Sequence, residues 1–199
     1  MARRSDHSRE ELKELAIQAG LKIIKNEGFK NFSARKVAAG IGYTIGTLYH
    51  IFGTYDDFVL HLNARTLDTW YSAMEEALQA HKKGSPIHAM ATFYIRYSKE
   101  HYNEWVALFE YHVEEDKIVP DWYLAKMARF FVLIEKLLLP IAKNNRKKAR
   151  RAAQILWAGI HGISILSLSG KLDLVGAESS EILASSFVDS YLSGINTEK

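Results

Sequence analysis

The chain has 199 residues, 48% of them hydrophobic, a formal net charge of +3 and no cysteine. That length and apolar content support a full buried core, in one large domain or two small ones, and exclude global disorder; the lack of cysteine excludes a disulfide framework and the common Cys-based zinc sites. Charge is uneven, with nine Lys/Arg against five Asp/Glu in residues 1–55 and seventeen against eighteen in the rest, so the basic excess sits at the N-terminal end, where it suits a phosphate-contacting surface.

The opening MARRSDHSREEL has two arginines but no apolar run after them. It does not read as a secretory signal, and a cytoplasmic protein is expected. Ser8 and Glu11 fit a capping box for a helix running to about Glu27. Leu12, Leu15, Ala16, Ala19, Ile23 and Ile24 form its apolar stripe, and Gly28-Phe29 supplies a stop followed by an apolar plug. Arg3, Arg4 and Arg9 are candidates for an arm or helix start that meets DNA backbone.

Ser33 to Phe58 is the stretch around which the chain is organised. Ser33 is a good N-cap, and Ala34, Val37, Ala38 and Ile41 have the spacing of one short helix, which Gly42 ends. In the next, Ile45, Leu48 and Phe52 face inward while Thr44, Thr47, Tyr49 and His50 stay outside. Two short helices joined by a glycine turn are the layout of a helix-turn-helix, whose second helix enters a DNA major groove. The expected DNA face is therefore Thr44, Thr47, Tyr49 and His50, with Ser33, Arg35, Lys36 and Tyr55 beside it toward the backbone.

These residues also carry a family resemblance. Ala38-Ala39-Gly40-Ile41-Gly42, then Gly46-Thr47-Leu48-Tyr49-His50-Ile51-Phe52, then Asp56-Asp57-Phe58, is similar to the signature of the TetR family of bacterial transcriptional regulators. The Trp157-Ala-Gly-Ile-His161-Gly162 run resembles one in a C-terminal ligand-domain subgroup of that family. The resemblance implies a repressor that binds an inverted-repeat operator as a homodimer and answers to a small molecule. The sequence departs from the family pattern at Tyr55, where a basic residue often stands, and at Ile51, where a histidine or other polar residue is frequent.

Thr54 caps the next helix, with Asp56 and Asp57 against its positive end. Phe58, Leu62, Trp70, Met74, Ala77 and Leu78 continue an inward face to about Ala80. Gly84-Ser85-Pro86 ends a loop and starts a helix to His101; a second follows from Asn103 with Trp105, Val106, Leu108, Phe109 and Val113. After the acidic run Glu114-Glu115-Asp116 and Pro120, a helix is expected over Asp121 to Lys143, with Pro140 kinking or ending it. Lys143 to Arg151 reads as a polar turn, more simply solvated than a second nucleic-acid patch. The last two helices are placed at Arg150 to about Ser169 and Ser179 to about Gly194, with a loop over 170–177.

The stretch from Ala152 to Leu168 is apolar on nearly every face, yet it is shorter than the ~20 residues of a membrane span and contains Gln154, His161, Ser164 and Ser167. A buried helix covered on two sides is expected, not a membrane segment. Ala158, Gly159 and Gly162 are small enough for another helix to approach, Leu166 extends that side, and Leu183, Phe187 and Tyr191 repeat every four residues on the last helix. In the TetR family the corresponding helices pair with their symmetry mates in a four-helix bundle, which makes these seven residues the expected dimer interface.

No strand alternation of useful length appears, so the fold expected is all-α: a three-helix DNA-binding domain over residues 1–54 and a larger helical ligand-binding and dimerisation domain over 55–199. No catalytic constellation stands out. Gly162-Ile-Ser164-Ile-Leu166 lacks the second glycine of a nucleophile elbow, no phosphate-binding glycine loop is present, and the histidines lack metal-ligand spacing. No enzyme, cofactor or metal is expected. Trp105, Phe109, His112, Trp122, Tyr123, Trp157 and His161 combine apolar bulk with polar handles, as pockets do and plain cores avoid. With Trp70 and Met74, the set Trp105, Phe109, His112, Trp157 and His161 is the expected site for a small apolar or aromatic effector. From another class, a helical small-molecule-binding or scaffold protein that no longer reads DNA fits the same pattern.

Overall fold

The computed structural model describes residues 7–112 and 118–197. In order, the helices are α1 (Arg9–Glu27), α2 (Ala34–Gly40), α3 (Ile45–Phe52), α4 (Tyr55–Ala80), α5 (Pro86–Glu100), α6 (Tyr102–Glu110), α7 (Asp121–Leu138), α8 (Arg146–Leu168), α9 (Lys171–Leu174) and α10 (Ser180–Thr197), with a 3-10 turn at Phe29–Asn31. There is no strand among the described residues, and the fold is all-α. No helix among them is long and apolar enough to cross a membrane. Arg3, Arg4 and the acidic run at 114–116 lie outside the described residues.

Packing divides the chain into two compact units, Met1–Asp68 with His101–Tyr123, and Thr69–Glu100 with Leu124–Lys199. The division therefore runs through α4, after Asp68, whereas the sequence suggested a boundary at residue 54.

In the first unit, caps set the helix starts. Glu11 N donates to Ser8 Oγ at 3.3 Å while Ser8 N donates to Glu11 Oε2 at 2.7 Å, the reciprocal pair of a capping box. Ser33 and Thr44 cap α2 and α3 with a single bond each, accepting from Lys36 N at 3.2 Å and Thr47 N at 3.3 Å. Thr54 Oγ accepts from Asp57 N at 3.0 Å, and the Asp57 carboxylate accepts from both the Thr54 hydroxyl and its amide. Leu12, Ala16, Ile24, Val37, Leu48, Phe52, Phe58 and Leu62 close one apolar core. Gly42 turns the chain between α2 and α3 at φ +77°, a left-handed conformation that other side chains resist.

The sequence did not place α6 in this unit. Trp105 is fully buried, Ala107 belongs to the core just described, Asn103 Nδ2 donates to Lys25 O at 2.7 Å, and the Tyr111 hydroxyl donates to the Asp56 carboxylate. Helical period states that a face is buried but not against which core.

The second unit packs α5, α8 and α10 around Ile87, Ala91, Ile95, Ala152, Leu156, Ile160, Ala184 and Val188, with Ile134 and Leu138 of α7. Helix α7 ends at Leu138, five residues earlier than expected, because a chain of turns through Pro140 carries Lys143 and Asn144 to positive φ. Helix α8 begins four residues earlier than expected: Asn145 Oδ1 accepts from Lys148 N at 3.0 Å, so the basic run is mostly its first turns. The expected loop over 170–177 contains α9.

Candidate functional site

Helix α3 buries Leu48, Ile51 and Phe52. The opposite side carries Thr44, Gly46, Tyr49 and His50, all exposed, with Thr47 half-exposed. Thr44 Oγ and Thr47 Oγ lie 3.1 Å apart, so the cap and the first turn present two hydroxyls side by side. Ile51, a departure from the family pattern, is a core residue; its carbonyl accepts from Arg9 Nη2 at 3.2 Å. Arg9 thereby ties the start of α1 to the end of α3. His7 Nδ1 lies 2.9 Å from the Tyr43 hydroxyl just ahead of α3, a contact with no local signal in the residue pattern.

The flanking residues differ in state. Arg35 is exposed with no partner among the described residues. Lys36 instead donates to Glu27 Oε2 at 3.0 Å and to Asn31 O at 2.8 Å, and a pair this exposed is worth little against solvent or a phosphate. Ser33 is half-buried and committed to its capping bond. Tyr55 packs its ring on Phe32. Burial foremost, then the Asp56 carboxylate and Tyr49, hold its hydroxyl above the usual value, so it remains a donor at neutral pH.

The expected effector residues fall in different units. Trp105 and Phe109 stack obliquely at 4.9 Å inside the first unit, and His112 is exposed there, its Nδ1 3.0 Å from the Glu110 carbonyl. In the second unit Trp70 and Met74 are buried. Trp70 contacts Tyr94, Tyr97 and Phe130. The Tyr94 hydroxyl lies 2.8 Å from His161 Nδ1, Trp157 stacks on His161 at 5.5 Å, and Phe131 meets Trp157 edge-on. Burial pushes the His161 imidazole below its usual value, leaving it neutral at physiological pH. Tyr94, Tyr97 and Phe130, absent from the expected set, complete this cluster.

On α8, Ala158, Ile155, Ile165 and Leu166 are exposed and Gly162 has open space beside it. Gly159 does not: a Cβ there would lie 2.3 Å from Phe187 ring carbons of the same chain. The close approach it permits is that of α10 within the protomer. Leu183, Phe187 and Tyr191 are half-buried on α10, and Ile182 beside them is exposed.

A capped two-helix element, buried on one side and carrying hydroxyl, phenol and imidazole groups on the other, is a helix-turn-helix reading head. Residues 16–62 match the family described as "Bacterial regulatory proteins, tetR family" and residues 87–191 match "Tetracyclin repressor-like, C-terminal domain". The chain belongs to the TetR family of transcriptional regulators, DNA-binding proteins and not enzymes. No curated protein matches it by sequence. Among solved structures, it is similar to a protein of unknown function from Rhodococcus sp. RHA1, with TM-score 0.74, 15% identity and 97% of this chain and 98% of that one covered. A transcriptional regulator from the same organism gives 0.67 at 19% identity, with 94% and 99% covered. RolR, solved with its ligand resorcinol, gives 0.65 at 15% identity, with 96% and 95% covered. At these identities the likeness is one of fold.

Proposed function

We propose that this protein is a dimeric repressor that holds an inverted-repeat operator through α3 and is released from it by a small, largely apolar effector bound in the second unit. The single observation that carries the reading is the division of α3, with Leu48, Ile51 and Phe52 buried and Thr44, Thr47, Tyr49 and His50 turned outward. Hydroxyl, phenol and imidazole groups can contact base edges, while Arg35, Lys36 and the Tyr55 hydroxyl suit phosphates.

The effector site is assigned to Trp70, Met74, Trp157 and His161 with Tyr94, Tyr97 and Phe130. Rings with a few polar atoms are the usual lining of such sites, and RolR, similar in fold, was solved with the aromatic ligand resorcinol. Helix α4 is unbroken from Tyr55 to Ala80, and it contributes Asp56 to the reading head and Trp70 and Met74 to the effector cluster. An effector lowers DNA affinity only if it prefers the state that binds DNA less well; coupling of ~1–3 kcal/mol changes operator affinity roughly 5–150-fold.

Selection of genomic fragments with the purified protein tests the reading. Enrichment of an inverted repeat, lost in the variant with alanine at 44, 47, 49 and 50, is the expected result. Failure to enrich any sequence would point to the helical binding or scaffold protein that no longer reads DNA.

A further inference from the structure

Trp70 is 5% exposed, and its indole nitrogen has no hydrogen-bond partner among the described residues. That nitrogen is a donor only. The indole ring packs against three others: Tyr97 stacks at 5.7 Å between centroids, Tyr94 meets it edge-on at 5.2 Å, and Phe130 lies 4.9 Å away. A buried donor left unmade costs about 1–3 kcal/mol, and folded proteins satisfy nearly all of them. Two nearby hydroxyls obey that rule. The Tyr94 hydroxyl has His161 Nδ1 at 2.8 Å, and Ser98 Oγ donates to the Ile95 carbonyl at 2.8 Å. Trp70 is thus a donor held in place by aromatic faces, and it lacks an acceptor that a guest molecule can bring.

We propose that the effector is an uncharged aromatic compound carrying a hydrogen-bond acceptor, seated among Tyr94, Tyr97 and Phe130 with that acceptor on Trp70 Nε1. The proposal rests on the ligand-responsive reading above and specifies the chemistry of its site. Aromatic walls favour an aromatic guest through offset and edge-on packing. Charge decides the kind of acceptor. The three residues in ring contact with Trp70 are uncharged, and burial keeps His161 neutral. The Arg129 guanidinium lies over the ring faces of Tyr71 and Phe130, 4.3 and 5.7 Å from their centroids, an arrangement that engages the cation with π-systems. A carboxylate would be stripped of water against negative ring faces, whereas a carbonyl or ether oxygen loses far less and still accepts from the indole.

The test uses the full chain, labelled with nitrogen-15, and its four tryptophan indole resonances. Trp70→Phe assigns the relevant one and keeps a ring in place. Three probes are titrated: acetophenone, α-methylstyrene, which has nearly the same shape with a methylene in place of the oxygen, and benzoate. Acetophenone is expected to move the Trp70 resonance downfield and to bind about tenfold more tightly than α-methylstyrene, with the difference lost in Trp70→Phe and benzoate weaker than acetophenone. Equal affinity for the first two probes, tighter binding of benzoate, or no binding of any probe overturns the proposal. So does a Trp70 resonance that is downfield in the free protein and never moves, which identifies water as its partner. Operator binding is followed in the same samples. A different compound that releases the operator with Trp70 unmoved overturns this site and leaves the regulator standing; absence of operator binding removes the regulator reading whatever Trp70 does.

Discussion

The ring of Phe187 on α10 rests directly on Gly159 of α8, where a single Cβ would come within 2.3 Å of two ring carbons. A ring cannot yield by that much without leaving its rotamer or moving its helix. Gly159→Ala is expected to destabilise the fold by about 1–3 kcal/mol, seen as a lower midpoint in urea. Combining it with Phe187→Leu should return part of the loss, since the two residues share one contact. Additive losses in that double-mutant cycle would show that the contact is not what limits position 159.

On the DNA face, Thr47 and Arg35 are expected to fail differently. Thr47→Val removes a hydroxyl from the reading side and should cost about 1–3 kcal/mol at one base pair, relaxing preference there. Arg35→Ala should weaken all sequences alike and lower the salt slope by about one. Titrations of operator and shuffled sites at several salt concentrations measure both. A Thr47→Val variant with unchanged sequence preference would take Thr47 off the face.

Much of this headpiece was legible in the sequence because its signals are local. Ser8, Ser33 and Thr54 each precede a helix and cap it, and Leu48 and Phe52 repeat at helical spacing. The path of α6 was not legible. Trp105 and Phe109 make the same stripe whether their helix joins the second unit or returns to α1, and only the chain's route decides between them. Gly159 is small enough for a helix to approach, but a small residue does not announce which helix arrives, and within the protomer it is α10. At the proposed effector cluster, Trp70, Trp157 and His161 stood out by type, while the part of Tyr94, Tyr97 and Phe130 shows only in their rings packed against Trp70.

Because Trp105 is wholly enclosed in the reading-head unit, Trp105→Ala should act through stability, with a loss of about 3–5 kcal/mol. Under conditions where the variant remains folded, effector affinity should be little changed. Chemical denaturation and calorimetric titration separate the two effects. Loss of effector binding with stability retained would return Trp105 to the ligand site.

Glu14 accepts from both terminal nitrogens of Arg65, at 2.8 and 2.6 Å. Those bonds, with a further one from Gln18, lower its carboxyl from the ordinary 4.5 to about 2. A depressed folded-state value contributes stability above the unfolded-state value, and that contribution is lost as pH falls from about 4.5 through about 2. Both side chains are more than a third exposed, so solvent screening reduces the effect to about 0.2–1 kcal/mol. Glu14→Gln should be less stable than wild type by that amount at neutral pH, with the gap closing through this acid window. A gap independent of pH would mean the pair contributes nothing through charge.

The dimer is best tested at side chains that the protomer itself does not bury. Ile155 on α8 is 38% exposed and Ile182 on α10 is 48% exposed. Ala158, Ile165 and Leu166 of α8 are exposed as well, apolar surface that a second copy would cover. Ile155→Glu with Ile182→Glu places two charges there without entering the Gly159–Phe187 contact. Sedimentation should show monomers. Because a dimer gains by engaging both halves of an inverted repeat, the variant should lose roughly 10²–10⁴-fold on the full operator while keeping wild-type affinity for an isolated half-site. Half-site binding serves as the control for folding, since a damaged headpiece would lose both. An unaltered dimer that still holds the full operator would exclude this face as the interface and turn attention to other exposed apolar residues, such as Leu124 and Met127 of α7.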